Sequence, residues 1–335
     1  MADVFTGAAF RETNRCSSTI RTGVLVTINH RPAAGIFFCV FSLLAFALQD
    51  SIVKGLSVDY PVLQILSFRS LVSLTLMVSI GLISIGPSVL VGRNRLMLYG
   101  RGALAFMAFT TYYVALQKIP LADAAAVYMT APLFVTLLSA LILRERVGMY
   151  RWLAVLVGFL AVIFMLNPGG SLFQVASIMP LFSAMCYAFI PIINRHIGTS
   201  QAALTMGIYT SVTYLLLILL TSALIYVLPR PDGDNEILGS LFRSWQWFTM
   251  KDLLINLFSG CLFTIGLLSI TQAYRIAIVS AVAPFEYSYL LWASLIGYLY
   301  FGDVPGADTI IGGLVVVSCG CFIIYRENRL TKASR

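Results

Sequence analysis

The chain has 335 residues, of which 59% are hydrophobic and only 11% charged. A soluble domain carries about 25% charged residues, so this composition describes a polytopic membrane protein rather than one or two soluble domains. The net charge of +8 does not signal nucleic-acid binding, because the basic residues sit in short loops between apolar runs and form no continuous basic face. Six cysteines show no CxxC spacing and mostly lie in or beside apolar stretches, where a thiol behaves as a small hydrophobe.

Residues 1–32 are polar and basic, with Arg11, Arg15, Arg21 and Arg31. The apolar piece Gly23–Ile28 is too short for a signal-peptide core, so this segment reads as a cytoplasmic extension. Ten apolar segments follow, near 33–53, 62–85, 96–117, 121–143, 151–167, 173–194, 203–228, 252–273, 277–300 and 308–325. In lipid the backbone must satisfy its own polar groups, so each is predicted to be a helix. Connections are short and carry Pro and Gly, as in Lys118-Ile119-Pro120 and Asn167-Pro168-Gly169-Gly170. The exception is the stretch 229–251, where Trp245 and Trp247 suit an interfacial anchor.

Charge then sets orientation. Sixteen of the Lys and Arg residues, among them Arg93, Arg95, Arg101, Arg144, Arg146 and Arg195, flank segments on the side holding the N-terminus. Five lie on the other side: Lys54, Lys118, Arg230, Arg243 and Lys251. By the positive-inside rule both termini are cytoplasmic, which requires an even number of crossings. Sliding the sequence by 158 residues places Glu145 on Asp303, Ala154 on Gly312 and Tyr128 on Glu286. Five crossings separate the copies, so the second is inverted. Such repeats hold a substrate site near the midplane, at their interface. The expected fold is therefore an all-α integral membrane protein of ten transmembrane helices in two inverted five-helix repeats. The expected units are a tail at 1–32, repeats at 33–167 and 173–325, and a cytoplasmic tail at 326–335.

Polar residues at bilayer depth are the candidate site, because each costs about 2.5–3.5 kcal/mol on insertion scales. Glu286 is the one charged residue between Ala277 and Gly302, beside Pro284, Phe285, Tyr287, Tyr289 and Trp292. It either faces a wet cavity, meeting a substrate or a proton, or is a neutral or paired carboxyl held for packing. Asp50 either pairs with Lys54 one turn on, as a solvated helix end, or faces the cavity. Arg69, always charged, needs a partner, water or an anionic ligand, unless it snorkels to the interface. Asp123 reads as a first-turn carboxylate favoured by the helix dipole. Tyr112, Tyr113, Tyr128, Tyr187, Tyr287, Tyr289 and Trp292 either pack or border a cavity, where a ring stacks on a flat or cationic solute. Pro132, Pro180, Pro191 and Pro284 remove backbone hydrogen bonds and kink helices, statically or during gating.

No GxxxxGK[ST], no GxSxG and no aspartate cluster for Mg²⁺ occurs, and the two histidines lie at helix margins. No metal, cofactor or catalytic centre is expected. A non-transporting membrane protein or lipid-handling enzyme is the alternative to a carrier.

Ala131-Pro132-Leu133-Phe134 with Leu143-Arg144-Glu145-Arg146-Val147, and Ala283-Pro284-Phe285-Glu286-Tyr287 with Phe301-Gly302-Asp303-Val304-Pro305, resemble the drug/metabolite transporter (DMT) superfamily and its EamA branch. Phe68-Arg69 and Gln49-Asp50 also resemble common positions of the first half. Asp303 departs from the usual Glu, and the 229–251 loop is longer than typical. The resemblance covers about 33–325. It implies a bacterial inner-membrane carrier whose two halves line a central cavity and which moves a small metabolite, of the amino acid, S-adenosylmethionine or riboflavin class. Together these readings predict alternating access. Glu286 is expected to meet a substrate ammonium or a coupling proton, Arg69 a carboxylate or an acidic partner, and membrane lipids surround the bundle. Substrate, direction, coupling ion and oligomeric state are left open.

Overall fold

The structure is a computed structural model that describes residues 32–142, 148–166, 176, 178–197, 201–228, 241–277 and 282–333. Among these the regular structure is all helical, with no strand. The helices are α1 (Pro32–Leu56), α2 (Val62–Ser84), α3 (Arg95–Leu116), α4 (Leu121–Tyr128), α5 (Ala131–Ile142), α6 (Met149–Leu166), α7 (Met179–Ile197), α8 (Ala203–Val227), α9 (Met250–Ile276), α10 (Ser288–Ile296) and α11 (Ala307–Ala333). A 3₁₀ turn, Ala283–Tyr287, leads into α10, and a π-helical turn, Gly297–Phe301, leaves it. With α4 and α5 joined as one crossing, and α10 taken with its two turns, these helices match the ten apolar segments. Six of the crossings are long and apolar enough to span a membrane, and Trp152–Leu166 and Met179–Asn194 are shorter apolar helices. Leucines and phenylalanines such as Leu71, Leu220, Leu254, Phe258, Leu291 and Leu295 stand exposed on the outside. A surface of that kind suits lipid, not water.

The neighbour pattern is twofold. α1 packs along α9 and α3 along α7; α3 meets α8 and α9 meets α2; α5 meets α7 and α10 meets α1; α2 packs on α8 and α6 on α11. Exchanging each of the first five crossings with its counterpart in the last five returns the same set. Single contacts obey the exchange. Ser42 donates to the Gly266 carbonyl at 2.8 Å, and Ser183 donates to the Ala108 carbonyl at 2.6 Å. A Cβ on Gly102 would strike Thr213, and one on Gly260 would stand 2.7 Å from the Cβ of Val72. In both cases the α1–α2 residue lies 141 positions before its α7–α8 equivalent, and the α3 residue 158 before its α9 equivalent. The single 158-residue slide therefore holds only from α3 onward. The α8–α9 connection is longer than the α2–α3 connection and absorbs the difference. With five crossings in each set, the second set is inverted.

Other expectations change in detail. The stretch 277–303 is not one continuous helix, because the 3₁₀ turn and the π turn interrupt it, and 278–281 lie outside the described residues. The described helix of the sixth crossing starts at Met179, and 173–175 and 177 lie outside the described residues. Of the four prolines proposed to kink helices, only Pro191 is internal. Pro132 and Pro180 are second residues of their helices and Pro284 is second in its turn, where a missing N–H costs nothing. Glu145 and residues 229–240 lie outside the described residues. Trp247 is exposed, as an interfacial anchor requires.

The core is continuous across both halves. Ala122, Ala124, Ala125 and Ala126 of α4 are buried, and this small-residue helix packs against α7, α10 and α11. Small side chains bring backbones close where no hydrophobic driving force separates helix from lipid.

Candidate functional site

Two crossings are broken at corresponding places. Between α4 and α5 the chain turns at Met129–Thr130, where the Thr130 hydroxyl donates to the Val127 carbonyl at 2.7 Å. Pro132 then supplies no N–H to continue the ladder. The counterpart of Met129, 158 residues on, is Tyr287, the end of the 3₁₀ turn. Irregular backbone at membrane depth is tolerated only where it is enclosed by protein or lines a wet cavity. Tyr128 closes the first break and Glu286 lies in the second, and the two are equivalent positions.

Around them stands a set of rings. Tyr128 lies 5.2 Å from Tyr112 and 5.7 Å from Tyr187, centre to centre, and Phe109 lies 6.5 Å from Tyr187. Glu286 is within electrostatic reach of Cys39 on α1 and of Tyr187 on α7. Phe109, Tyr128, Tyr187, Glu286 and Trp292 each retain accessible surface although their neighbours pack tightly. The indole N–H of Trp292 has no hydrogen-bond partner among the described residues. Tyr287 is directed elsewhere: it is buried, and its phenol fits against Gly320 of α11, where a Cβ would collide with it.

A second polar cluster lies nearer the end of the bundle opposite the N-terminus. Asp50, six residues before the end of α1, does not pair with Lys54 as a solvated end pair. It is 5% exposed and accepts from Gln49 at 2.9 Å, from the Tyr113 phenol at 2.7 Å and from the Tyr289 phenol. Arg69 neither snorkels nor faces an opening. It is 1% exposed and its Nη1 donates to the Gln49 carbonyl oxygen at 3.0 Å and to the Tyr113 hydroxyl at 2.8 Å. Its guanidinium is framed by the rings of Phe263 at 4.6 Å, Tyr113 at 4.9 Å and Tyr214 at 5.9 Å. Tyr289 continues the chain of hydrogen bonds to Tyr112 at 2.8 Å. The network thus ties α1, α2 and α3 to α10 of the other half. The sequence marked Asp50 and Arg69 as polar groups at depth, but not that Gln49 and Tyr113 would bridge them or that Tyr289 would join, since nothing in the spacing brings them together.

The same end is closed by further links. Lys54 pairs with Asp303 at 2.7 Å and lies 4.8 Å from the Phe301 ring centre. Asp123 is in the first turn of α4, as its position implied, and also accepts from Thr309 of α11 at 2.8 Å. Tyr60 donates to Asp252 at 2.9 Å, and Gln64 exchanges hydrogen bonds with the backbone of Gln246. The Lys54–Asp303 side chains are 15% and 23% exposed, so solvent screens them. A double-mutant cycle with Lys54→Met and Asp303→Asn, read by thermal unfolding in micelles, is expected to give a coupling of at most about 1 kcal/mol.

Sequence reasoning placed Arg101 among the loop charges, yet the structure puts it inside α3. Its Nε donates to Asn194 of α7 at 3.0 Å, and its Nη1 to the Met206 carbonyl at 3.1 Å and to the Thr210 hydroxyl. An arginine near a helix start reads as a flank charge until its neighbours are known.

Ten helical crossings in two inverted sets, broken at matched points beside Glu286 and a cluster of tyrosine rings, are the architecture of a membrane carrier. The comparisons agree. Residues 33–167 match the EamA-like transporter family, in keeping with the resemblance to the DMT superfamily. The chain is 28% identical over 320 residues to a riboflavin transporter of Vibrio cholerae, covering 92% of this chain and 99% of the relative. It is 24% identical to an S-adenosylmethionine uptake transporter of Rickettsia prowazekii (88% and 94% covered). It is 28% identical to the pseudopaline exporter CntI of Pseudomonas aeruginosa (85% and 94%). A solved crystal structure shares the fold, with a TM-score of 0.59 at 16% identity, over 88% of this chain and 97% of that one. The protein is a multi-pass membrane transporter of small metabolites, and not an enzyme.

Proposed function

We propose that the protein is a secondary carrier of a small polar metabolite, of the amino acid, S-adenosylmethionine or riboflavin class, working by alternating access. The observation that carries this is the pair of helix breaks at equivalent positions, with Tyr128 and Glu286 at the breaks and Tyr187 between them. Discontinuous crossings at a repeat interface are where carriers of this architecture hold their solutes. The working units are 33–167 and 173–325, with 1–32 and 326–335 as cytoplasmic tails. The family match over 33–167 supports that division. The positive-inside pattern and the bacterial relatives support a bacterial inner membrane with both termini in the cytoplasm.

In this reading Glu286 receives the substrate's cationic group or a coupling proton. Tyr128 and Trp292 supply ring faces and an indole N–H. Asp50 and Arg69 do not touch substrate. They lock α10 to the first half at the far end, and the Lys54–Asp303 pair seals that end. Tyr287 positions the break by packing on α11. Two inverted halves that share one core can rock about it, and opening the far end requires Tyr289 to leave Asp50.

The test is flux of riboflavin, S-adenosylmethionine and aromatic amino acids into proteoliposomes holding the full chain. Protein-dependent movement of at least one is expected. Glu286→Gln is expected to lower that flux roughly ten- to hundred-fold, the effect of losing a charge-assisted contact. Absence of protein-dependent flux for the whole set would defeat the assignment of substrate class. Wild-type flux in Glu286→Gln would remove that residue from the mechanism.

A further inference from the structure

The polar cluster around Arg69 has a counterpart at the opposite end of the bundle, and it is built differently. The residue 141 positions beyond Arg69 is Thr210 on α8, seven residues inside the start of its helix, as Arg69 is inside the start of α2. A second arginine is aimed at that position: Arg101 bonds to Thr210, to Asn194 and to the Met206 carbonyl. The inversion sets these two stations at similar distances from the midplane on opposite sides. They differ in state. Arg69 is 1% exposed, with a carboxylate two bonds away through Gln49 or Tyr113. Arg101 keeps accessible surface. Among the described residues no carboxylate lies within ion-pair distance of it, and no hydrogen bond uses its Nη2.

A guanidinium held inside a membrane bundle needs a counter-charge, because it does not deprotonate. Asn194, Thr210 and a backbone carbonyl fix the direction of the fork and neutralise none of its charge. The two hydrogens of Nη2 have no partner among the described residues and remain as donors. Tyr187, in turn, is close enough to both Arg101 and Glu286 to feel the charge of each. The Tyr187 ring therefore lies within electrostatic reach of both a cation and an anion.

We propose that Arg101 is the anion-recognition residue of the carrier and that its solute is zwitterionic, with a carboxylate held by Arg101, an ammonium or sulfonium near Glu286, and a ring against Tyr187 and Tyr128. This rests on the carrier reading above and narrows it. A carboxylate can accept from Nη2 in a charge-assisted bond, while Nε and Nη1 hold the guanidinium in place through contacts that lysine cannot all reproduce. A like charge brought to either end meets repulsion in a poorly screened site. The site thus selects for charge separation along the solute as well as for a flat group.

The experiment compares solutes that differ only in the carboxylate: S-adenosylmethionine with decarboxylated S-adenosylmethionine, L-tryptophan with tryptamine, and L-histidine with histamine. Binding to the purified full chain in nanodiscs is followed by thermal shift and by quenching of intrinsic fluorescence. At least one carboxylate-bearing member is expected to bind, and its decarboxylated partner to bind roughly ten- to hundred-fold more weakly. Arg101→Gln is expected to abolish that preference, and Arg101→Lys to keep part of it. A variant that only disturbed folding would lower both members of a pair together and leave their ratio unchanged. Three results overturn the proposal: no binding by any carboxylate-bearing member, equal affinity within every pair, or a preference retained in Arg101→Gln. Because flux is measured separately, transport of another solute alongside any of these would leave the carrier reading standing and remove only the anion site.

Discussion

Asp50→Ala is expected to destabilise the protein by about 3–5 kcal/mol, the usual cost of removing one member of a buried charge pair. The residue lies in a network with almost no solvent contact, and its loss leaves the Arg69 guanidinium enclosed by Phe263, Tyr113 and Tyr214 with no opposite charge. Arginine has no neutral state to fall back on. Arg69→Met is expected to cost less, because the carboxyl it leaves behind can take up a proton and keeps Gln49, Tyr113 and Tyr289 as partners. The double variant Asp50→Leu/Arg69→Met is expected to be more stable than Asp50→Ala alone, since neither buried charge then needs a partner. Tyr289→Phe removes one donor to the carboxylate and is expected to cost about 1.5–3 kcal/mol. Thermal or denaturant unfolding of the purified protein in detergent ranks the four. If Asp50→Ala unfolds within about 1 kcal/mol of wild type, the network is not what joins α10 to the first half.

Gly260→Val is expected to prevent close packing of α9 on α2. Even a single Cβ at Gly260 would stand 2.7 Å from the Cβ of Val72 and 2.9 Å from the Arg69 carbonyl oxygen. That oxygen is backbone and cannot rotate away. Overpacking a tight contact costs about 1–3 kcal/mol. Gly260→Ala is expected in that range and Gly260→Val beyond it, with loss of folded protein from the membrane fraction. Gly102→Ala, at the equivalent position against Thr213 of α8, is expected to behave alike. Gly100 is the control: a Cβ there meets nothing within 4 Å. Its replacement by alanine is expected to raise the melting temperature slightly, because alanine favours a helix interior by about 0.5–1 kcal/mol. Equal effects at Gly100 and Gly260 would show that helix propensity, not contact, decides these positions.

The two halves contribute unequally to this chemistry. The positions 141 beyond Gln49, Asp50 and Arg69 are Ile190, Pro191 and Thr210, so the internal twofold carries no second acid–arginine network. The half holding Asp50 provides the network, and the opposite station is polar but shows no charge pair among the described residues. An asymmetric pair of stations on a symmetric frame lets one end be sealed by the protein's own residues while the other takes its counter-charge from outside. In that arrangement the solute's carboxylate at Arg101 would do for one station what Asp50 does for the other.

How much of this was legible beforehand follows from the physics of each signal. Helices in lipid must be long and apolar, so ten crossings could be read from composition alone, and their ends agree with the structure to within a few residues at most positions. The acid and the arginine at depth stood out because charge is costly there. The break in the ninth crossing was harder to read, since Pro284 and the polar Glu286 marked the place without specifying a 3₁₀ turn. Lys54 illustrates the limit. Its spacing from Asp50 suited an i, i+4 pair, but the contact with Asp303, 249 residues away, competes for the same ammonium and wins in the folded chain.

By itself the sequence determined that the chain holds ten apolar crossings, that its basic residues gather on one set of flanks, and that a few costly polar groups are kept inside. These follow from local energetics of burial, length and charge, which need no knowledge of neighbours. Only the tertiary structure decided which of those groups meet. It joined Asp50 to phenols from both halves, enclosed Arg69, set Tyr287 against Gly320, and tied Arg101 to Asn194 and Thr210. Such partnerships depend on how helices far apart in sequence pack and rotate against one another, and hydropathy and spacing carry no record of that rotation.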